Sequence, residues 1–392
     1  MVRGRVFIIS NDIVPGLGMP VAAPGLRAFG LAEGLRANGA RVKTLVVKGF
    51  VDRQWMRFGK SVPHPMGPDT EVIGGYRLAR YLKTHAPATV IIINSNQVDN
   101  LGPIPGIKYV LDFFAPKMLE MLYHHSGEYP EKEISELRQR KIRAIKLADG
   151  FIVNGAKKLP YFLAWLLQAD RDIRDLPFEV VNMCAPLAWS GPPRVGPDSG
   201  DPVKFAVAGY LHSWSTLGSW VKVMERHLDQ SNDQSNVSLD LMVPWHWSVM
   251  EYEHTSKGDL DRLAGYRSVH THGPMTFSNF QTFLSGIDVA IDLFQHNLER
   301  EYAMVTRSII ALACGVPVLH PPFTEVSPMI SEYDAGWLVD PEDTAALEAV
   351  ISNIIEDPDG LRRKKENARK LAAAVIEPDV AVKPLVRMME AW

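Results

Sequence analysis

This chain of 392 residues has few cysteines and a small net charge. The two cysteines, Cys184 and Cys314, lie far apart in apolar stretches. The sequence therefore predicts buried free thiols and excludes a disulfide framework or a cysteine metal site. The 42 basic and 45 acidic side chains leave a net charge of −3, which excludes a general electrostatic attraction for nucleic acid. We therefore expect no nucleic-acid partner.

Long apolar runs are also missing. The run Val6–Ile9 is too short for the core of a signal peptide, and Tyr161–Leu167 is too short to cross a bilayer. We therefore expect a cytoplasmic protein. The pattern Arg138–Lys146 is basic enough to lie on an anionic membrane, which keeps a peripheral position at the inner membrane face as an alternative. Glu133 and Glu136 precede it and favour an ordinary solvated helix face.

Short β-branched runs alternate with longer helical patterns along the chain. Strand patterns occupy residues 5–10, 41–47, 89–94, 109–111, 150–153 and 178–181, and then 203–208, 238–243, 268–271, 289–293, 316–320 and 337–339. Such alternation predicts parallel sheets covered by helices on both faces. Between the two sets, the proline- and glycine-rich residues 187–202 follow neither period and predict a linker.

The sequence thus predicts an α/β protein with two doubly wound, Rossmann-like domains. The first covers residues 1–186 and the second 203–376, and a C-terminal helix at 377–392 is expected to pack back on the first domain. Doubly wound domains bind ligands at the carboxyl ends of their strands. We therefore expect an interdomain cleft that suits two substrates.

Two glycines, Gly16 and Gly18, follow the first strand. They would let backbone N–H groups approach a phosphate or a sugar closely, although a flexible turn is an equally simple interpretation. A dinucleotide fingerprint would need a third glycine where Val21 stands, so NAD is disfavoured. The chain also has no P-loop and no nucleophile elbow.

The segment Arg300–Leu319 predicts an anion site. Thr306 can cap a helix whose amides and dipole attract an anion. Arg307 in the first turn opposes that dipole, and its position becomes favourable if a diphosphate binds there. Pairing of Arg307 with Glu299 or Glu301 is the alternative.

Several segments are similar to a known family. Ala313–Val318 (ACGVPV) and Asp334–Pro341 (DAGWLVDP) resemble the retaining GT-B glycosyltransferases of the "group 1" kind. Arg27–Val42, Tyr109–Glu120 and Leu147–Asn154 follow the same family in the same order, and the second of these is similar to a divergent bacterial branch. The resemblance covers nearly the whole chain. It implies a GT-B fold in which the first domain binds the acceptor and the second binds the donor. It also implies metal-independent, retaining transfer from a nucleotide-sugar to an acceptor hydroxyl, with no cofactor.

The chain departs from this family at two places. Most members carry two glutamates that contact the sugar and the ribose, and here Tyr302 and Ile310 stand at those positions. Glu301 is adjacent and can replace the first glutamate. Most members also carry an arginine and a lysine after the first strand of the second domain, where this chain has Gly209–His212 without either cation. Arg307 can take over their contact with the diphosphate.

The residue patterns and the resemblance together give three sets of candidate site residues. The donor-binding set is Gly16, Gly18, Gly209, Tyr210, His212, Met275, Tyr302, Thr306, Arg307 and Ser308. The catalytic set is Asp112, Glu301 and Arg307. The acceptor-binding set is Asn94, Asn96, Tyr123 and His124. Met275 would hold the base through backbone groups. Asp112 would position or activate the acceptor, with a helix cap or a turn as its alternative role.

The sequence leaves the sugar, the base and the acceptor open. Polysaccharides, glycolipids and small natural products all remain candidate acceptors. Two other functions remain as well. One is a nucleotide-sugar epimerase with the same architecture. The other is a degenerate GT-B protein that binds without turnover, which the missing glutamate and the missing cation pair keep open.

Overall fold

The two halves of the chain form separate units in the computed structural model, which describes residues 4–10, 12–58, 68–124, 129–185, 194–197, 201–228, 236–243 and 256–392. The first unit comprises residues 1–186 and 375–392, and the second unit comprises residues 187–374. Of the predicted linker, only residues 194–197 and 201–202 lie within the described residues. The described part belongs to the second unit, where Lys365 Nζ donates to the Arg194 carbonyl at 2.9 Å.

The first unit contains a sheet of seven parallel strands in the order β3-β2-β1-β4-β5-β6-β7. Its strands are β1 Arg5–Ser10, β2 Arg41–Val47, β3 Thr70–Ile73, β4 Ala88–Ile93, β5 Ile107–Phe113, β6 Gly150–Val153 and β7 Phe178–Val180. Its helices are α1 Ala23–Ala37, α2 Lys48–Phe58, α3 Leu78–His85, α4 Lys117–His124, α5 Glu131–Leu147, α6 Leu159–Gln168, α15 Pro378–Ala381 and α16 Lys383–Glu390. The central strands are continuous apolar runs because helices cover both faces of the sheet.

The second unit contains a sheet of six parallel strands in the order β10-β9-β8-β11-β12-β13. Its strands are β8 Val203–Ala208, β9 Val237–Met242, β10 Val269–Thr271, β11 Val289–Ile291, β12 Val318–His320 and β13 Gly336–Leu338. Its helices are α7 Trp220–Leu228, α8 Lys257–Leu263, α9 Phe277–Ser285, α10 Leu298–Glu301, α11 Thr306–Ala313, α12 Ser327–Tyr333, α13 Thr344–Glu356 and α14 Pro358–Leu371.

The predicted architecture of two doubly wound parallel domains is confirmed. The strand patterns missed only β3 among the strands described. This strand has four residues at the edge of the sheet, and only Ile73 is fully buried. The predicted free thiols are confirmed too, since Cys184 and Cys314 are buried and unbonded. Burial raises the pKa of both thiols to about 12.

The C-terminal segment packs on α1 of the first unit. A Cβ added at Gly34 would lie 2.2 Å from the Pro378 carbonyl oxygen, so only glycine allows this approach. Asn38 Nδ2 adds a hydrogen bond of 3.0 Å to the Asp379 carbonyl. The first unit is therefore built from both ends of the chain.

We predict that Gly34→Ala destabilises the protein by about 1–3 kcal/mol, because the added methyl group must push α15 away. Gly49→Ala is the matched control, since Gly49 also lies in a helix and its Cβ would meet nothing within 4 Å. That control should stabilise the protein by about 0.5–1 kcal/mol. Thermal unfolding followed by circular dichroism measures both. Equal melting temperatures for the two variants would contradict the close contact.

Candidate functional site

In the second unit, the order of strands reverses between β8 and β11. The loops that follow these two strands contact each other at the carboxyl edge of the sheet. Gln295 N donates to the Thr216 carbonyl at 2.9 Å, and Asn297 Nδ2 donates to the Trp214 carbonyl at 2.9 Å. Trp220 anchors the arrangement by donating from Nε1 to the Leu293 carbonyl. This edge is where a doubly wound domain binds its ligand.

Arg307, at the start of α11, joins the β8 loop to the β11 loop. Its Nη1 donates to the Tyr210 carbonyl at 3.0 Å, and its guanidinium carbon lies 4.4 Å from the centre of the Phe294 ring. Gly209 has a φ of +122°, and a Cβ there would lie 2.4 Å from Arg307 Cδ. Glycine is required at this position both for its backbone conformation and for the space that Arg307 occupies.

The start of α11 corrects the role predicted for Thr306. Thr306 is the first residue of the helix, and the N-cap position is Val305, which has no side-chain acceptor. The prediction that Thr306 caps the helix is therefore wrong. Because the first amides of a helix have no intrahelical acceptor, the first turn of α11 presents N–H groups and the positive end of the dipole without a side-chain cap. Such a terminus attracts anions.

The partner of Arg307 is Asp292, which directly follows β11. Arg307 Nη2 lies 2.9 Å from Asp292 Oδ1. Burial lowers the pKa of Arg307 from its ordinary value, and the Asp292 carboxylate opposes that effect. The alternative pairing with Glu299 or Glu301 is wrong. Glu299 binds Arg300 at 2.8 Å instead.

A buried chain of hydrogen bonds holds Asp292 in place. Ser308 Oγ donates to Asp292 Oδ2 at 2.8 Å and lies 3.1 Å from His320 Nδ1. His320 Nε2 lies 2.7 Å from Thr324 Oγ1. Burial lowers the pKa of His320 to about 4, so the imidazole is neutral at physiological pH. Sequence reasoning missed Asp292 and His320, although each stands at the carboxyl end of a predicted strand.

The remaining donor-site candidates divide between the two units. His212 stacks on Trp214, with ring centres 4.5 Å apart. Glu301 ends α10 and Tyr302 follows it, both half-buried. Met275 lies in the loop after β10 and is half-buried. The structure thus brings together Gly209, Tyr210, Thr306, Arg307 and Ser308.

In the first unit, the order of strands reverses between β1 and β4. Gly16 and Gly18 lie in the loop after β1 with φ of +94° and +67°, and a Cβ on either would meet nothing within 4 Å. Asn94 directly follows β4, and the half-buried Asn96 comes two residues later. Tyr123 and His124 lie at the exposed end of α4.

The structure does not support the role predicted for Asp112. Its side chain has no exposed surface, and its Oδ2 and Oδ1 accept from Arg27 Nε at 2.8 Å and Nη2 at 3.3 Å. Asp112 lies inside β5, so it is neither a helix cap nor a turn residue. With both oxygens on Arg27, this carboxylate holds the first unit together and does not reach an acceptor.

No protein-family model and no curated protein sequence matches this chain. Solved structures are similar to it over their whole length. Sucrose-phosphate synthase from Thermosynechococcus elongatus has a TM-score of 0.65 and 15% identity, covering 99% of this chain and 100% of that one. HepE from Anabaena, in complex with UDP and glucose, has a TM-score of 0.64 and 12% identity, covering 100% of both chains. An alpha-glucosyltransferase in complex with UDP-glucose and DNA containing an abasic site has a TM-score of 0.67 and 11% identity, covering 99% of both chains.

The chain has the GT-B fold. Identities this low establish the fold alone. The strand order of each unit places a ligand crevice of this fold at β1/β4 and at β8/β11.

Other features lie outside these crevices. The described residues contain no cluster of three or more metal-binding side chains. The His272 side chain pairs with Asp240, with 2.6 Å between Nε2 and Oδ1. A cavity of about 610 Å³ opens at the opposite, amino edge of the first sheet, beside Arg5 and Arg41. It contains none of the predicted site residues.

The basic pattern Arg138–Lys146 lies within α5. Arg140 and Arg143 both pair with Asp99, at 3.1 and 2.5 Å. Lys141 is buried against four aromatic rings, and burial lowers its pKa to about 7. These contacts occupy cations that a membrane surface would need. Among the described helices, none combines the length and the apolar character required to cross a bilayer.

Asp12, two residues after β1, lies at the carboxyl edge of the first sheet and was not among the predicted site residues. Its side chain is buried, and its Oδ1 accepts from Ile13 N at 2.7 Å. Burial raises the pKa of Asp12 to about 7, an effect opposed by the Ile13 amide and by the positive charges of Lys117 and Arg53. A buried carboxyl group with a pKa near neutrality at the carboxyl end of a central strand is a common property of functional sites.

We predict that Asp12 lowers stability as pH rises from about 4 to about 7. In this range the unfolded chain has lost the carboxyl proton while the folded chain retains it, so the free energy of unfolding falls and then stays low above pH 7. Asp12→Asn does not titrate. Its melting temperature should equal that of the wild type near pH 4 and exceed it at pH 8. At pH 8 its free energy of unfolding should be higher than that of the wild type by on the order of 4 kcal/mol at most.

Thermal unfolding of both proteins at several pH values measures this difference. Asp379→Asn, at an exposed position of α15, is the control. A gap between Asp12→Asn and the wild type that is the same at pH 4 and pH 8 would contradict the raised pKa.

Proposed function

We propose that this protein is a glycosyltransferase that moves a hexosyl group from a nucleoside-diphosphate sugar to an acceptor hydroxyl. One observation carries the proposal. Arg307 and the uncapped start of α11 lie beside Gly209 at the β8/β11 crevice, where the geometry suits a diphosphate. Similarity in fold to transferases that bind UDP or UDP-glucose supports the same assignment and makes UDP the first nucleotide to test.

The proposed chemistry is electrostatic. As the bond between the sugar and the diphosphate breaks, negative charge develops on the leaving phosphate. Amide donors, the helix dipole and Arg307 would stabilise that charge. Because Asp292 already holds the guanidinium in place, Arg307 would need little reorganisation during the reaction. We propose that the transfer retains the configuration of the sugar and needs no metal ion, as the family resemblance implies.

For the acceptor we propose only the broad class of molecule. A polysaccharide, a glycolipid or a small natural product fits a transferase of this fold. The alpha-glucosyltransferase with the same fold was solved with DNA, so the fold does not exclude nucleic acid. The expected absence of a nucleic-acid partner therefore rests on the net charge alone.

The two alternative functions have no observation that favours them. An epimerase would need carboxylates that face the bound sugar. Asp292 and Glu299 are instead engaged in ion pairs with Arg307 and Arg300. A degenerate binding protein rests only on the replaced glutamates and on the missing pair of cations after β8. Of these positions, Ile310 is buried in the core.

We predict that Thr306→Pro weakens UDP binding about tenfold to a hundredfold. Proline is well tolerated at the first position of a helix but lacks the N–H group, so the variant removes one amide donor and keeps the fold. A hydrogen bond to a charged group contributes about 1.5–3 kcal/mol. Val305, the preceding residue, has an extended ψ of 99° that proline accepts.

Thr344→Pro is the matched control. Thr344 is also the first residue of a helix in the second unit, and the preceding Asp343 has a similar ψ of 89°. Titration calorimetry with UDP measures both variants. Equal affinity of Thr306→Pro and Thr344→Pro would show that the amide of Thr306 does not bind the phosphate, and no UDP binding by the wild type would remove the basis for the donor site.

Turnover separates the transferase from the degenerate protein. We predict slow release of UDP from UDP-glucose without an acceptor, unchanged by EDTA. Tight UDP-glucose binding with no UDP release, with or without a panel of sugar acceptors, would favour the degenerate protein. Loss of activity in EDTA that is restored by a divalent cation would contradict metal independence.

A further inference from the structure

The β1/β4 crevice of the first unit contains a buried amide without a partner. Asn94 is 6% exposed, and its Nδ2 finds no hydrogen-bond acceptor in the described structure. Its backbone is also in the left-handed region, with a φ of +58°. A buried donor without an acceptor is unfavourable, as is this backbone conformation. Residues that combine such costs commonly serve a ligand.

Asp12, which follows β1 on the other side of the crevice, is a buried hydrogen-bond acceptor. Its side chain is 4% exposed. Its Oδ1 accepts from Ile13 N, and no described cation forms an ion pair with it. Lys117 and Arg53 act on it only at longer range. The carboxyl group is therefore buried with capacity to accept a further hydrogen bond.

The two side chains lie at the same edge of the sheet. The parallel register pairs Ile9 of β1 with Ile92 of β4. Asp12 and Asn94 therefore follow adjacent strands just past their carboxyl ends. This is the point where the order of strands reverses and a crevice opens. The Gly16 loop leaves open space beside it.

We propose that Asp12 and Asn94 bind a hydroxyl group of the acceptor, the hydroxyl donating to the Asp12 carboxylate and accepting from Asn94 Nδ2. This assignment rests on the proposed function, because the bound molecule is an acceptor only if the protein is a transferase. A hydroxyl group is the simplest group that donates and accepts at once. An ammonium group cannot accept from Asn94, and a phosphate is repelled by the carboxylate. A sugar or another polyol presents such hydroxyl groups and is the ligand class that fits this pair.

The experiment exchanges the two groups. Asp12→Asn surrounds the hydroxyl with two donors, and Asn94→Asp surrounds it with two acceptors. Each single variant should lower sugar affinity roughly tenfold, the effect of losing one hydrogen bond to a charged or buried group. The double variant restores one donor and one acceptor and should recover most of the affinity. Aspartate tolerates the backbone conformation at position 94, since Asp334 has a φ of +51° in this protein.

The probes are D-glucose, D-galactose, D-mannose and N-acetylglucosamine, each titrated into the full-length protein by saturation-transfer NMR. Asp99→Asn, an exposed carboxylate on the loop after β4, is the matched control and should bind like the wild type. Recovery in the double variant after loss in both single variants supports the site. Unchanged binding in the single variants, or no recovery in a folded double variant, overturns it, as does the absence of any sugar signal with the wild type.

UDP affinity measured on the same samples keeps this proposal separate from the donor site. If sugar affinity falls in the single variants and recovers in the double variant while UDP does not bind, the hydroxyl site is supported and the donor assignment is contradicted. UDP binding without a sugar signal that depends on Asp12 and Asn94 would do the reverse.

Discussion

Parallel strands must be joined by crossovers that pass over a face of the sheet, and a sheet covered on both faces must therefore reverse its order once. In this protein the reversal falls between β1 and β4 in the first unit and between β8 and β11 in the second. At each reversal the crossovers on the two sides pass over opposite faces of the sheet, which leaves a crevice at the carboxyl ends of the two strands. The ligand-facing residues assigned to these crevices follow one of the four strands or start α11.

The buried charges of the molecule divide into two kinds. Arg27 with Asp112, and Arg307 with Asp292, are close pairs in which each charge has its counterpart. Breaking such a pair costs several kcal/mol because it leaves a buried charge alone. Asp12 has no such counterpart among the described residues, and burial raises its pKa to about 7. The presence or absence of a partner separates carboxylates that maintain the fold from those available to a ligand.

The sequence predicted most of the fold and less of the sites, for physical reasons. Buried parallel strands are continuous apolar runs, so periodicity located nearly all of them. It missed β3, an edge strand of four residues in which only Ile73 is fully buried. The position of a strand end drew attention to Asp112, but the same argument applied equally to Asp12. What distinguishes them is Arg27, which is 85 positions from Asp112 in the sequence and adjacent to it only after folding.

The start of α11 shows the same limit. A threonine before an apolar helix predicts a cap, yet the helix begins one residue earlier than a Thr306 cap would allow. That shift changes the chemistry. A capping hydroxyl would occupy one first-turn amide, whereas Val305 leaves the amides to a ligand.

The family that the chain resembles carries two cations at the position of the β8/β11 crevice, where this chain has one arginine. Arg307 is neutralised by Asp292, so it adds little net attraction for a diphosphate at long range.

The contribution of Arg307 to binding comes from its fixed position. Asp292, Ser308 and His320 fix the guanidinium before any ligand arrives, and a preorganised donor binds without the ordering cost that a flexible lysine incurs. Amide donors at a helix terminus are fixed in the same way and carry no counterion. A site built from such groups would bind the diphosphate by fixed dipoles more than by net charge, and its affinity would therefore depend less on ionic strength than that of a site with two unpaired cations.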